Sequence, residues 1–261
     1  MRSLLQAISL LTRIPVRVAW DDNRPLGRIL VWAPVVGLLI GGLLFAAAWG
    51  LSIALPMATA SLLAPALLLV LWVMVTGGLH LDGWCDCCDG LFVPASREKR
   101  LEIMKDPRTG SFGVIGAVLL LLVKFAAIQA VLAMNARQAP AGWLPLVLAP
   151  AMARATMVFA AGWLPLARPG GMGAKFREGL GAAQLVAVAG ILAMVLLGAA
   201  FLATHWSLGL ACCLAAILAA AAWSVLAMRR LDGLTGDVYG GIVELAETAA
   251  LVAAVAVLAH G

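Results

Sequence analysis

Residues 77–113 read GGLHLDGWCDCCDGLFVPASREKRLEIMKDPRTGSFG. This stretch holds six of the chain's thirteen carboxylates and five of its eighteen Lys and Arg residues, and its flanks are apolar. Asp82, Asp86 and Asp89 stand at i, i+4 and i+7. On a helix they fall within roughly 60° of one another, on one face. Three carboxylates on one face repel each other unless a cation lies between them. Oxygen donors in that number suit a hard divalent metal, Mg²⁺ first. Arg97, Lys99, Arg100, Lys105 and Arg108 follow and can hold phosphate oxygens. Acids and bases so paired are the equipment of metal-assisted phosphoryl transfer.

The surroundings decide the fold class. The chain has 261 residues, 64% of them hydrophobic and 12% charged, with a mean hydropathy of +1.03. Soluble domains run near a quarter charged, at about 25%. Composition therefore predicts an all-α, polytopic transmembrane bundle, a single domain over residues 1–261 with its catalytic segment at about 80–111. Seven spans are expected, at about 29–51, 60–79, 112–134, 143–164, 181–203, 207–226 and 239–259. Gly37, Gly41 and Gly42 in the first allow close helix packing. LLQAISLLTRIPV near the start resembles a signal-peptide core. Its short apolar run, with Arg13 and Arg17 close behind, favours an interfacial helix instead. The basic pI does not call for nucleic acid, because in a membrane protein Lys and Arg mostly set topology. Five cysteines without a secretory pattern do not suggest a disulfide framework.

Charge tests the span assignment. With the N terminus placed in the cytoplasm, the cytoplasmic segments are 1–28, 80–111, 165–180 and 227–238. They hold fifteen of the eighteen Lys and Arg residues. Lys124 and Arg154 fall within spans, and Arg137 alone lies outside on the far side. That is a positive-inside pattern. Eleven of the thirteen acids follow to the same side, with Glu244 and Glu247 in the first turns of the last span. A transporter carries its ionisable groups along a midplane path; these pool at one end.

Other residues carry competing readings. Cys85, Cys87 and Cys88 with His80 suggest zinc, but three Cys within four residues point around a helix rather than converge, and small packing residues are the better reading. His80 can be a base, a phosphate contact or a helix-end residue. Asp106-Pro-Arg-Thr-Gly-Ser-Phe-Gly113 makes a loop at a helix start that can present N–H groups to an anion, or simply cap the helix. Arg154 can reach the acids or form a structural ion pair, and Lys124 has no evident role. Arg168, Lys175 and Arg177 in ARPGGMGAKFREG can bind phosphate or set topology. Asp237, Glu244 and Glu247 in GLTGDVYGGIVELAE fall within about 80° on a helix. They read as a second metal or substrate site, or as partners of Arg154 or Arg168.

HLDGWCDCCDGLF, EIMKDPRTGSFG and GLTGDVYGGIVELAE, with LLTRIPV and ARPGGMGAKF, together resemble the cobalamin synthase family, the adenosylcobinamide-GDP ribazoletransferases. The resemblance runs from about residue 5 to 250. In the family pattern HLDG-x-A-D-x-A-D-G, alanines stand where Cys85 and Cys88 stand here, and the three aspartates remain. Pro107 stands where the family usually has Ser. The resemblance implies transfer of adenosylcobinamide phosphate from adenosylcobinamide-GDP to α-ribazole or its 5′-phosphate. The products are GMP and adenosylcobalamin or its 5′-phosphate. It implies Mg²⁺. The residues read above then give a mechanism in which Asp82, Asp86 and Asp89 hold the metal and act in catalysis with His80 and Glu244, while Arg108, Lys105, Arg154, Arg168, Asp237 and Glu247 contact substrate. The setting would be a bacterial inner membrane with the site facing the cytoplasm. A homo-oligomer and corrinoid-pathway enzymes are further partners to consider. Asp86-x₂-Asp89-Gly90 copies only the beginning of the CDP-alcohol phosphotransferase pattern. A transporter and a noncatalytic scaffold remain as alternatives.

Overall fold

A computed structural model describes residues 2–20, 25–55, 57–135, 140–202 and 206–260. Arg24 and Arg137, both used in the charge count, lie outside them. The described residues form twelve α-helices, and the only strand-like pairing among them is a single bridge between Leu166 and Leu234. A short amphipathic helix, α1 (Arg2–Leu11), and a single turn, α2 (Gly27–Leu30), precede the first long helix, α3 (Ala33–Ala54). Then come α4 (Met57–Thr76), α5 (Leu79–Leu91), α6 (Arg97–Ile103), α7 (Ser111–Asn135) and α8 (Leu144–Trp163). The chain ends with α9 (Gly171–Arg177), α10 (Ala182–Leu202), α11 (Trp206–Leu231) and α12 (Gly236–His260).

Six of these, α3, α7, α8, α10, α11 and α12, are long and apolar enough to cross a membrane. The pair α4–α5 passes the same test but bends by 90° between its halves, so the count reaches seven. The expected spans thus stand, with ends shifted by a few residues. We read α4 as the seventh crossing and α5 as lying across the end of the bundle, outside the spans.

The bend follows from Gly77 and Gly78, at φ of 63° and 68°. Their N–H groups reach back to Met74 and Val73, closing the last turn of α4 in a double-bonded glycine cap. L-residues with a side chain avoid that region. The Arg13 side chain lies over Gly77, and the Arg13 N–H donates to Val75 O at 2.7 Å, tying the segment after α1 to the bend.

Helices α8 and α12 form the centre; α10 stands at the edge and exposes Val186, Leu197 and Phe201. Gly37 and Gly41 bring α3 against the backbone of α8 at Pro150 and Val147, whereas Gly42 faces open space. The expected close packing therefore rests on two of the three glycines.

The four polar segments meet at one end of the bundle. Gly27 N–H donates to Glu178 O at 2.9 Å. Arg97 donates to Leu231 O and Ala167 O, and Arg168 to Leu101 O. The segments around 166 and 234 are zipped by Ala167 N–H to Leu234 O and Leu234 N–H to Pro165 O, both 2.9 Å.

Candidate functional site

The site is built where α5 lies across the start of α12. Gly83 meets the backbone of Asp237, and Gly240 meets the backbone of His80. Side chains at either glycine would push the helices apart, so these two residues set the approach. The acids of α5 are thereby joined by Asp237. The bent-off α5, rather than the span α4, makes the contact with α12.

Along α5 the acidic face passes from open to closed. Asp82 is exposed, Asp86 half-buried and Asp89 buried. Asp89 accepts from the N–H of Gly110 at 2.7 Å and of Gly113 at 2.9 Å, one on each oxygen. It therefore pins the 106–113 loop and the start of α7 to α5. A Cβ at either glycine would strike this carboxylate. The carboxylates of Asp82 and Asp86 make no hydrogen bond or ion pair among the described residues. Burial, then Asp82, Asp237 and Asp89 in turn, push the carboxyl of Asp86 up to about 7. Asp237 accepts from Thr235 Oγ1 at 3.2 Å and stands 3.9 Å from Arg168. Thr235 in turn caps α12 by accepting from Val238 N–H at 3.3 Å.

Cys85 lies in the middle of these acids. Burial, and after it Asp82, Asp86, Asp89 and Glu244, raise its thiol to about 11. Cys87 and Cys88 are buried, Cys88 against Gly116, and all five cysteines are free thiols. Cys87 and Cys88 pack inside the bundle, beside a Trp84–Trp223 stack with ring centroids 4.6 Å apart.

A second, inner cluster lies beneath. Lys124 on α7 donates to Glu244 Oε2 at 2.6 Å and to Glu247 Oε2 at 2.7 Å. Arg154 on α8 donates to Glu247 Oε1 at 2.7 Å and to Pro150 O at 2.9 Å. Lys124 Nζ also sits 4.7 Å from the ring centre of Trp72 on α4. Arg154 and Glu247 are 0% and 1% exposed, so these two expected substrate contacts face each other instead of the open face. The ion-pair alternative holds for them. His80 is also buried, with both ring nitrogens unpartnered, and lies within reach of the charges of Arg154, Glu247 and Lys124. It does not stand at the open face either.

The expected basic contacts divide. Arg108 is exposed but folded onto Asp106, with bonds of 2.8 and 3.0 Å. That pairing holds the Asp106 carboxyl down at about 2. Lys105 is exposed. Arg97 and Arg100, candidates for phosphate, are turned to structure. Arg100 donates to Gly90 O and Leu91 O, the last carbonyls of α5, and Arg97 staples the 165–167 and 231–232 segments. Lys99 pairs with Glu102 on the surface, and Arg177 donates to Leu164 O. Arg168 is the basic group nearest the acids. It borders a small groove lined also by Gly170, Gly171, Met172 and Thr235.

Among the described residues no three His, Cys, Asp or Glu side chains are gathered closely enough to enclose one ion. The donor set still suits a hard divalent cation. Asp82, Asp86 and Asp237 are oxygen donors on two facing helices, crowded by like charge, with a single cation at 3.9 Å.

The family model for cobalamin-5-phosphate synthase matches residues 3–255. A Pseudomonas aeruginosa PAO1 protein named adenosylcobinamide-GDP ribazoletransferase is 43% identical over 261 residues, covering 97% of each chain. Proteins of the same name from Stutzerimonas stutzeri, 41% identical with 97% of each chain covered, and Brevibacillus brevis, 35% identical with 96% covered, also match. No solved structure matches. With a match running almost end to end and acids, glycines and loops meeting at one face, the chain belongs to the cobalamin-5-phosphate synthase family.

Proposed function

We propose that this chain transfers adenosylcobinamide phosphate from adenosylcobinamide-GDP to α-ribazole or its 5′-phosphate, releasing GMP. The observation that carries the reading is the meeting of the α5 acids with Asp237 of α12, at the polar end of a membrane bundle. The names of the relatives support the substrates. The positive-inside count supports a cytoplasmic site, and the bacterial relatives support the inner membrane.

Mg²⁺ would be held by Asp82, Asp86 and Asp89, with Asp237 facing them from α12. When bound it would offset the charge of the pyrophosphate and the leaving phosphate. Asp89 would serve as a ligand while its bonds to Gly110 and Gly113 keep the loop in place. Arg168 stands at the same rim and can meet phosphate oxygens once it leaves Asp237. Arg108 and Lys105 stand exposed beyond the loop, and Arg108 would have to release Asp106 to take part. The ribose hydroxyl attacks the phosphorus on the cobinamide side and GMP departs. The hydroxyl proton must go to a nearby base. Glu244 suits that task better than His80. Only its Oε2 is bonded, to Lys124, and it lies one turn beyond Gly240, where α12 meets α5.

Purified protein in detergent, without any ion gradient, should convert GDP-activated cobinamide and α-ribazole to the joined corrinoid. A transporter would yield no product. A scaffold would show product loss in no single Asp variant present at normal level.

A further inference from the structure

Lys124 has no role in the reaction outlined above, yet it is a buried cation held by two glutamates. It is 2% exposed on α7, bonded to two glutamates one turn apart on α12, and set against Trp72 of α4. With Arg154 it makes a set of two cations and two anions, closed within the bundle. A charge so deep in a span is costly unless paired, so this set fixes how α7, α8 and α12 sit together. The two glutamates are not equivalent. Glu247 has both oxygens engaged, one by Lys124 and one by Arg154. Glu244 has only Oε2 engaged, and it lies one turn beyond Gly240, where α12 meets the His80 backbone of α5.

We infer that Lys124 is a positioning residue: it holds Glu244 by one oxygen and turns the other toward the acidic face of α5. Glu247 and Arg154 hold Lys124 in turn, so the depth of the Lys124 ammonium is set from two sides. The role of Glu244 in proton transfer rests on the proposed reaction; its orientation by Lys124 does not.

The test separates these. Lys124→Met with Glu247→Gln keeps the internal charge balanced, yet leaves Glu244 unheld. Lys124→Met with Glu244→Gln is balanced too, and keeps the Glu247–Arg154 pair. Cys85 provides a reading independent of activity. It is half-exposed while the other four cysteines are buried, so it can be modified selectively. The ratio of its modification rates by a cationic and an anionic methanethiosulfonate reports the local negative field. If Lys124 positions Glu244, the Lys124→Met/Glu247→Gln protein, folded by thermal unfolding, changes that ratio by about threefold or more. Such a change is of the order of one near charge shifted at partly exposed positions. Lys124→Arg, which keeps the charge, retains a ratio within about a third of that span. The same double variant also loses kcat by about 10²-fold with KM unchanged, as a misplaced group does. A ratio and a kcat equal to wild type in this variant would reduce Lys124 to a structural counter-charge and overturn the inference. Should wild type itself release no GMP, the proposed reaction fails, while the Cys85 ratio still decides the orientation of Glu244.

Discussion

Asp89 differs from its two neighbours in kind. Asp82 and Asp86 point into the open face without protein partners, whereas Asp89 accepts two backbone N–H groups. Asparagine at Asp82 or Asp86 keeps the shape and removes the charge. Turnover should then fall by about 10²-fold or more, with the unfolding temperature not lowered. Asparagine at Asp89 sets an amide N–H against a backbone N–H. That variant should lose about 1–3 kcal/mol of stability in addition, seen as an earlier thermal transition. Equal unfolding temperatures for all three would mean that Asp89 does not hold the loop. Cys85→Ala and Cys88→Ala should cost little activity, because these thiols pack and no metal depends on them; loss of a stoichiometric zinc would contradict that. Arg108 and Asp106 give a pH statement. The Asp106 carboxyl is depressed to about 2 in the folded chain, so its pairing is fully present above the ordinary carboxylate range. It is lost only as pH falls through about 2. Asp106→Asn should therefore leave the shape of the rate profile between about pH 5 and 9 unaltered. The three aspartates were legible from spacing alone. The partners of Glu244 and Glu247 were not: Lys124 lies 120 residues from Glu244, and only tertiary packing joins them.

The α4–α5 bend is the element that makes the site. Without it the acids would continue along a membrane span; with it they lie across the start of α12. Gly77→Ala should cost about 1–2 kcal/mol from the left-handed backbone alone, and more from the clash with Arg13. Gly83→Val or Gly240→Val should part α5 from α12, lowering turnover more than stability if the two helices shape the active face. Unaltered turnover in both would remove that contact from the account. A sequence reader sees the Gly-Gly pair and a polar stretch after it. The 90° turn depends on both glycines adopting positive φ, which the letters permit but do not require. The same limit explains Arg97 and Arg100. They look like phosphate ligands in a basic run. Nothing nearby in sequence reveals that the carbonyls of Gly90, Leu91, Ala167 and Leu231 lie within their reach.

At the scale of the whole molecule, the spans and the gathering of the polar segments followed from hydropathy and charge. Both properties average over many residues and survive local error. The sidedness in the membrane is a prediction. In sealed inverted vesicles of a variant without native cysteines, a cysteine at Lys99 should react with an impermeant reagent and one at Arg137 should not. The reverse pattern would place the acids on the far side. The most direct measurement concerns the acids themselves. It is GMP release by purified protein given adenosylcobinamide-GDP and α-ribazole, with and without Mg²⁺, compared between wild type and Asp86→Asn. The account predicts release in step with corrinoid product, dependent on Mg²⁺, and nearly abolished in a normally folded Asp86→Asn protein. Wild-type rates in Asp86→Asn at limiting Mg²⁺ would contradict it.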